Sequence, residues 1–160
     1  MTQQDFIDRF EYQDGKLFYK KSEGCMKQGS EVGTVDKGGY LKTLIKRKPY
    51  RLHRIIFMMH HGYLPEFIDH IDGNTLNNRI ENLREATHSQ NQHNRKINKN
   101  NSTGVKGVTW YGNRNSFKAR CCVNGKSHHV GYFKKLEDAE KAIKSFRIEH
   151  HNDFANHVAI

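Results

Sequence analysis

The run Ile68-Asp69-His70-Ile71-Asp72-Gly73-Asn74, continued by Asn77-Asn78-Arg79-Ile80-Glu81-Asn82-Leu83 and by Ser89-Gln90-Asn91, decides how the rest of the chain is read. Asp69-His70 ends a short strand. Asp72-Gly73-Asn74 is a turn, because Gly tolerates positive φ and Asp and Asn hydrogen-bond their own backbone; Asn77-Asn78 reads as further turn. Arg79 to Leu83 is a helical turn, and Leu83-Arg84-Glu85-Ala86-Thr87 a returning strand. His88 to Lys96 is polar with helix-compatible spacing, and Ser89 is its candidate N-cap. The predicted unit is strand, loop, strand, helix.

Such a unit brings Asp69 and His70 beside Asn91. Asp69 and Asn91 offer hard oxygen ligands, which suit Mg²⁺. His70 accepts a proton near neutral pH, and its ring needs a hydrogen bond at the other nitrogen, which the Asn82 carbonyl can supply. A metal that polarises a phosphate, plus a positioned base, is the minimum equipment for phosphodiester hydrolysis.

Upstream, residues 1–50 read as strands and turns: Leu17-Phe18-Tyr19, Val32 to Val35 and Tyr40 to Ile45, with a hairpin turn at Lys46 to Arg51 around Pro49. Residues 53–61 change period, with Ile55, Ile56 and Met59 on one helical face and Gly62 as the stop. His60 and His61 read as helix-end histidines. His53 and Arg54 are open between phosphate contact and packing. Downstream, three β runs follow: Val105 to Tyr111, Ser116 to Val123 and His128 to Phe133. They are separated by turns at Gly112-Asn113 and Asn124-Gly125. Leu136 to His151 carries Leu136, Ala139, Ala142, Ile143 and Phe146 on one face, with acids in the first turns. The expected class is α+β. A β-rich region leads into the strand-loop-strand-helix unit, and a three-stranded antiparallel sheet on one helix follows. The expected domains are 1–97 and 104–160, joined by a linker at 98–103.

The 160 residues carry a formal net charge of +10, and all of it lies between His88 and Lys135, where ten Lys and Arg meet no Asp or Glu. Basic and acidic residues cancel elsewhere. A one-sign stretch of this length points to nucleic acid, whose phosphates are neutralised by Lys and Arg with release of counterions. The apolar run Ile55 to Met59 is far too short for a membrane helix. Met1 to Asp5 lacks the basic and apolar regions of a signal peptide, so a cytoplasmic protein without membrane contact is expected. Cys25, Cys121 and Cys122 form no Cys-x-x-Cys pair and read as reduced thiols.

On Asp69-His70-Ile71-Asp72-Gly73-Asn74, Asn77 to Arg84 and Ser89-Gln90-Asn91, with Tyr50-Arg51-Leu52-His53-Arg54 ahead, the chain resembles the HNH nucleases in the His-Asn-Asn form of phage homing endonucleases. The resemblance spans about residues 10–96. It implies a ββα-metal fold, His70 as general base, Asn82 as its orienting partner, and Asp69 and Asn91 as ligands of a single divalent ion. Asn91 stands where other members have His. That favours Mg²⁺, with Mn²⁺ as a substitute, over zinc. The family's substrate implies double-stranded DNA as partner.

A second resemblance rests on Gly104 to Trp110, Phe117-Lys118-Ala119-Arg120, Val123-Asn124-Gly125-Lys126, Val130 to Phe133 and the helix from Leu136. These are similar to the DNA-binding domain of plant ethylene-response factors (APETALA type), which lays a three-stranded sheet in the major groove. The resemblance implies DNA contacts from Lys106 and Trp110 on the first strand, Lys118 and Arg120 on the second and His129 on the third. Arg114 and Lys126 complete the candidate set. A site-selective, homing-type nicking endonuclease, monomeric on DNA, is the expected function; a non-catalytic DNA-binding regulator and a restriction-type nuclease are the alternatives.

Overall fold

A computed structural model of the chain describes residues 1–93, 97, 100–123 and 125–151. The fold is α+β, in two compact units, Met1–Ala86 and Thr87–Ile160.

The first unit opens with helix α1 (Gln3–Arg9), where a strand-and-turn region is expected. Thr2 caps it reciprocally with Asp5, and this capping box nucleates a helix of two turns. Strands β1 (Phe10–Gln13) and β2 (Lys16–Tyr19) form a hairpin closed at Asp14-Gly15. A second antiparallel sheet has β4 (Leu41–Ile45) between β3 (Thr34–Val35) and β5 (Lys48–Arg51). Its turn is Lys46-Arg47, both at positive φ, and Pro49 lies within β5 opposite Leu44, not in the turn. An edge strand tolerates the missing N–H. Helix α2 (Leu52–His61) follows directly and stops at Gly62, whose left-handed φ of 77° lets its N–H reach the Met58 carbonyl.

Phe10, Leu17, Val32, Ile45, Leu52, Ile55 and Ile56 make the core, each at most 2% exposed. Strands β6 (Phe67–His70) and β7 (Leu83–Ala86) pair antiparallel, and a 3-10 turn at Ile80–Asn82 leads into β7. Ile68 and Leu83 join the core, which anchors both strands beside α2.

The second unit begins with helix α3 (His88–His93). Its cap is Thr87 in place of the expected Ser89. The Thr87 N–H donates to the Gln90 side chain (2.7 Å), and the Gln90 N–H donates to the Thr87 hydroxyl (3.3 Å). The expected continuation to Lys96 lies outside the described residues. Strands β8 (Val108–Tyr111), β9 (Ser116–Val123) and β10 (Lys126–Phe133) form one antiparallel sheet with β9 central. Helix α4 (Leu136–His151) covers one face. Val108, Ala119, Cys121, Ala139 and Ile143 are the core between them. Asn101 and Thr103 donate side-chain hydrogen bonds to the Val105 and Val108 carbonyls, so the approach to β8 is ordered.

Candidate functional site

Strand β6 delivers two buried polar side chains at its end, Asp69 and His70, 4% and 5% exposed. They are neighbours on a strand, so they point to opposite faces. Asp69 stands opposite Arg84 on β7, and its Oδ2 accepts from the Arg84 guanidinium at 2.9 Å through both Nε and Nη2. The carboxylate is thereby fixed in orientation, and its burial charge is compensated.

His70 faces the other way, into a cluster of rings. Its centroid lies 5.1 Å from His53 of α2 and 6.0 Å from Tyr40, the residue just before β4. The Arg51 guanidinium stacks 4.2 Å over Tyr40 and pairs with Asp36 at 3.5 Å. His53 is buried and its pKa falls to about 3, first through burial and then through the neighbouring His70 and the Arg51 and Arg54 charges. His53 is packed against the Tyr40 and His70 rings. Arg54 packs too, donating to the Pro65 and Glu66 carbonyls.

The His70 ring is hydrogen-bonded by Asn78: Nε2 donates to Asn78 Oδ1 at 3.0 Å. The neutral ring then keeps its lone pair on Nδ1. The expected partner, Asn82, makes other bonds in this structure. His70 pairs with Leu83, so Asn82 sits just past that pair, at the mouth of the loop. There its amide donates to Asp72 Oδ1 (2.9 Å) and the Asn77 carbonyl (2.7 Å), while its oxygen accepts from the Asp72 N–H (3.0 Å). These bonds tie Asn82 into the loop. Asp72 is the hub: it also accepts from the Asn74 N–H and the Asn77 side chain. Partial burial pushes the Asp72 carboxyl up, but hydrogen bonds from Asn77, Asn74 and Asn82 outweigh it and lower the pKa. Thr75 ties the loop to the Gly39 carbonyl at 2.7 Å. Nothing in the sequence separates Asn78 from the turn asparagines around it; only its 1% exposure does.

Asn91 lies on α3, in the second unit, half-buried, with its N–H bonded to the Thr87 carbonyl. Among the described residues, no group of three or more His, Cys, Asp or Glu gathers as a metal cage. The Asp69 carboxylate, buried, oriented by Arg84 and one position from His70, nonetheless fits a hard divalent cation. Mg²⁺ is commonly held by one or two carboxylates plus substrate phosphates and waters.

In the second unit the register sorts the candidate DNA contacts. Thr109 pairs with Lys118, His129 with Arg120 and Tyr132 with Lys118, so these share the face opposite α4. Arg114, on the turn after β8, stacks 4.5 Å over Tyr132, and Lys118 lies 5.6 and 5.9 Å from the Tyr111 and Tyr132 ring centres. Arg120 is exposed and donates to Ser127 at 2.8 Å. Trp110 is not on this face. It pairs with Phe117, two positions from the Val108–Ala119 core pair, and packs edge-on to Phe117 at 4.9 Å. The strand's period of two puts it on the α4 side. Lys106 lies in the turn before β8, and its carbonyl accepts from Arg147. Lys126 pairs with Val123 at the hairpin end, again with the parity of the helix side. Tyr111 and Tyr132 are the outward aromatics that sequence reasoning missed; an error of one in the parity of β8 hid Tyr111.

An HNH endonuclease family model matches residues 50–93, from Tyr50 in β5 to the end of α3. Protein 3.8 of Escherichia phage T7 is 34% identical over 110 residues, which are 68% of this chain and 90% of that protein. The uncharacterized HNH endonuclease L560 of Acanthamoeba polyphaga mimivirus is 36% identical over 101 residues, 61% of this chain and 50% of that protein. No solved structure matches the chain. With the strand, loop and strand that carry Asp69 and His70 inside the matched segment, the chain belongs to the family of phage T7 Protein 3.8 and carries an HNH endonuclease domain at residues 50–93.

Proposed function

We propose that this chain is a divalent-metal-dependent endonuclease that nicks double-stranded DNA, of the homing type, and acts as a monomer in the cytoplasm of a bacterial or phage-infected cell. One observation carries the reading: within the HNH segment, His70 is held through Nε2 by Asn78 at 3.0 Å, one strand position after the buried Asp69.

Asp69 and Asn91 are the proposed ligands of Mg²⁺. The HNH match, residues 50–93, takes in both Asp69 and Asn91. When bound, the ion supplies charge stabilisation at the scissile phosphate. His70 Nδ1 takes the proton of the attacking water, and Asn82 keeps the loop between the strands closed. The face carrying Arg114, Lys118, Arg120 and His129, with Tyr111 and Tyr132, binds the duplex. Its cations meet phosphates and groove edges, and its tyrosines meet sugars and bases. The ethylene-response-factor resemblance supports this use of the sheet. The exposed side chain of Trp110, Lys106 and Lys126 are left to contacts at the sheet's margin.

Supercoiled plasmid incubated with the full chain and Mg²⁺ tests the reading. Open-circular DNA is expected before linear, and no cleavage in EDTA. One proposed base and one metal site cut one phosphodiester per engagement. Linear product without a nicked intermediate would refute the monomeric nickase.

A further inference from the structure

Resting on that reading of His70, we propose that Asn78 is the positioning residue for the base and that the β1–β2 hairpin, outside the HNH match, is the clamp that sets it.

Asn78 is 1% exposed, and its Oδ1 accepts from His70 Nε2. Its Nδ2 is buried with no hydrogen-bond partner among the described residues. A buried, unpartnered N–H destabilises a fold, so a leucine of similar shape would suit the cavity better. What leucine cannot supply is an acceptor for Nε2. The asparagine is thus explained by its neighbour's chemistry, not by its own packing.

The backbone that carries it is held from one side. Gly15, at φ +87°, approaches so closely that a Cβ there would stand 2.7 Å from the Arg79 nitrogen and 3.1 Å from the Asn78 carbonyl carbon. The Ile80 N–H donates to the Tyr12 hydroxyl at 3.0 Å, and the Arg79 guanidinium pairs with Asp14 at 3.0 Å. Three successive residues, 78 to 80, therefore rest on the hairpin turn. Displacing it moves the acceptor away from His70.

The test uses the full chain, supercoiled plasmid with Mg²⁺, and ¹⁵N NMR of the neutral histidine rings without metal. Asn78→Leu should lower kcat about 10–100-fold with KM within about twofold, and His70 should lose its preference for the Nε2–H tautomer. Its melting temperature should change little, because removing the unpartnered Nδ2 offsets the acceptor lost to His70. Asn78→Asp retains an acceptor and should keep the tautomer. Gly15→Ala should lower kcat in the same direction. Gly24→Ala, equally left-handed but in open space, should leave it unchanged and so controls for backbone strain. An unchanged tautomer and kcat in Asn78→Leu would overturn the proposal. Equal losses from the two glycine variants would overturn the clamp. A changed tautomer with wild-type kcat, while His70→Ala is inactive, would also overturn the positioning role. Wild-type cleavage by His70→Ala would instead place the failure in the base assignment, and the proposal would fall with it.

Discussion

The β6–β7 loop and the outer face of the β8–β10 sheet are both polar, yet they are built differently. In the loop, Asp72, Asn74, Asn77 and Asn82 exchange directed hydrogen bonds with side chains and backbone, and Thr75 adds a tie to Gly39. On the sheet, Lys118 and Arg120 are spaced by the pleat and, with Arg114 of the turn after β8, rest on tyrosines and a serine. Chemistry at one atom needs a fixed position, which directed bonds supply. Attraction to a polyanion needs only charge at roughly the right spacing. Substitutions in the first region should therefore change stability and rate, and substitutions in the second should change affinity.

The largest stability contrast is expected at the two arginines. Arg84→Ala takes the guanidinium away from the buried Asp69 carboxylate and should cost about 3 kcal/mol in a denaturant melt. Arg120→Ala, on the exposed face, should change stability by less than about 0.5 kcal/mol. Equal losses would erase the distinction between the regions.

A pH titration sharpens it next. The folded pKa of His53, near 3, lies below its ordinary value of 6.5. The unfolded chain thus takes up a proton that the folded chain refuses. This contribution is fully present above the unfolded pKa and is lost as pH falls toward the folded one. Stability should drop by about 1–2 kcal/mol between pH 6.5 and 5, and His53→Gln should remove that part of the slope. An unchanged slope in the variant would show that the ring is not held neutral.

The smallest effect concerns DNA affinity. Replacing both Lys118 and Arg120 with Ala should lower the salt dependence of binding by about 2 in log–log slope, measured by fluorescence anisotropy. Trp110→Ala should cost less affinity than that double substitution, because the indole lies on the α4 side. A reversed outcome would return the DNA-binding face to the side that carries Trp110.

Much of the architecture was legible. Leu136 to His151 and Ser116 to Val123 coincide with α4 and β9, because apolar period and turn residues agree there. Helix α1 escaped, being seven residues long with one buried side chain, and only the Thr2 and Asp5 box announces it. Pro49 suggested a turn because an edge strand and a turn accept proline equally well. At the site, Asp69 and His70 were readable from their motif. Asn78 was not, since a buried acceptor and a turn asparagine share one letter. The outward tyrosines were hidden because strand parity depends on where β8 starts, and sequence boundaries shift by a residue or more.

The central claim is that His70 does chemistry while the duplex is bound elsewhere. The direct measurement compares wild type and His70→Ala on supercoiled plasmid with Mg²⁺, with DNA binding measured in parallel. Loss of at least about a hundredfold in nicking rate, with affinity within about twofold of wild type, is the predicted result. Nicking by His70→Ala at the wild-type rate would contradict the account.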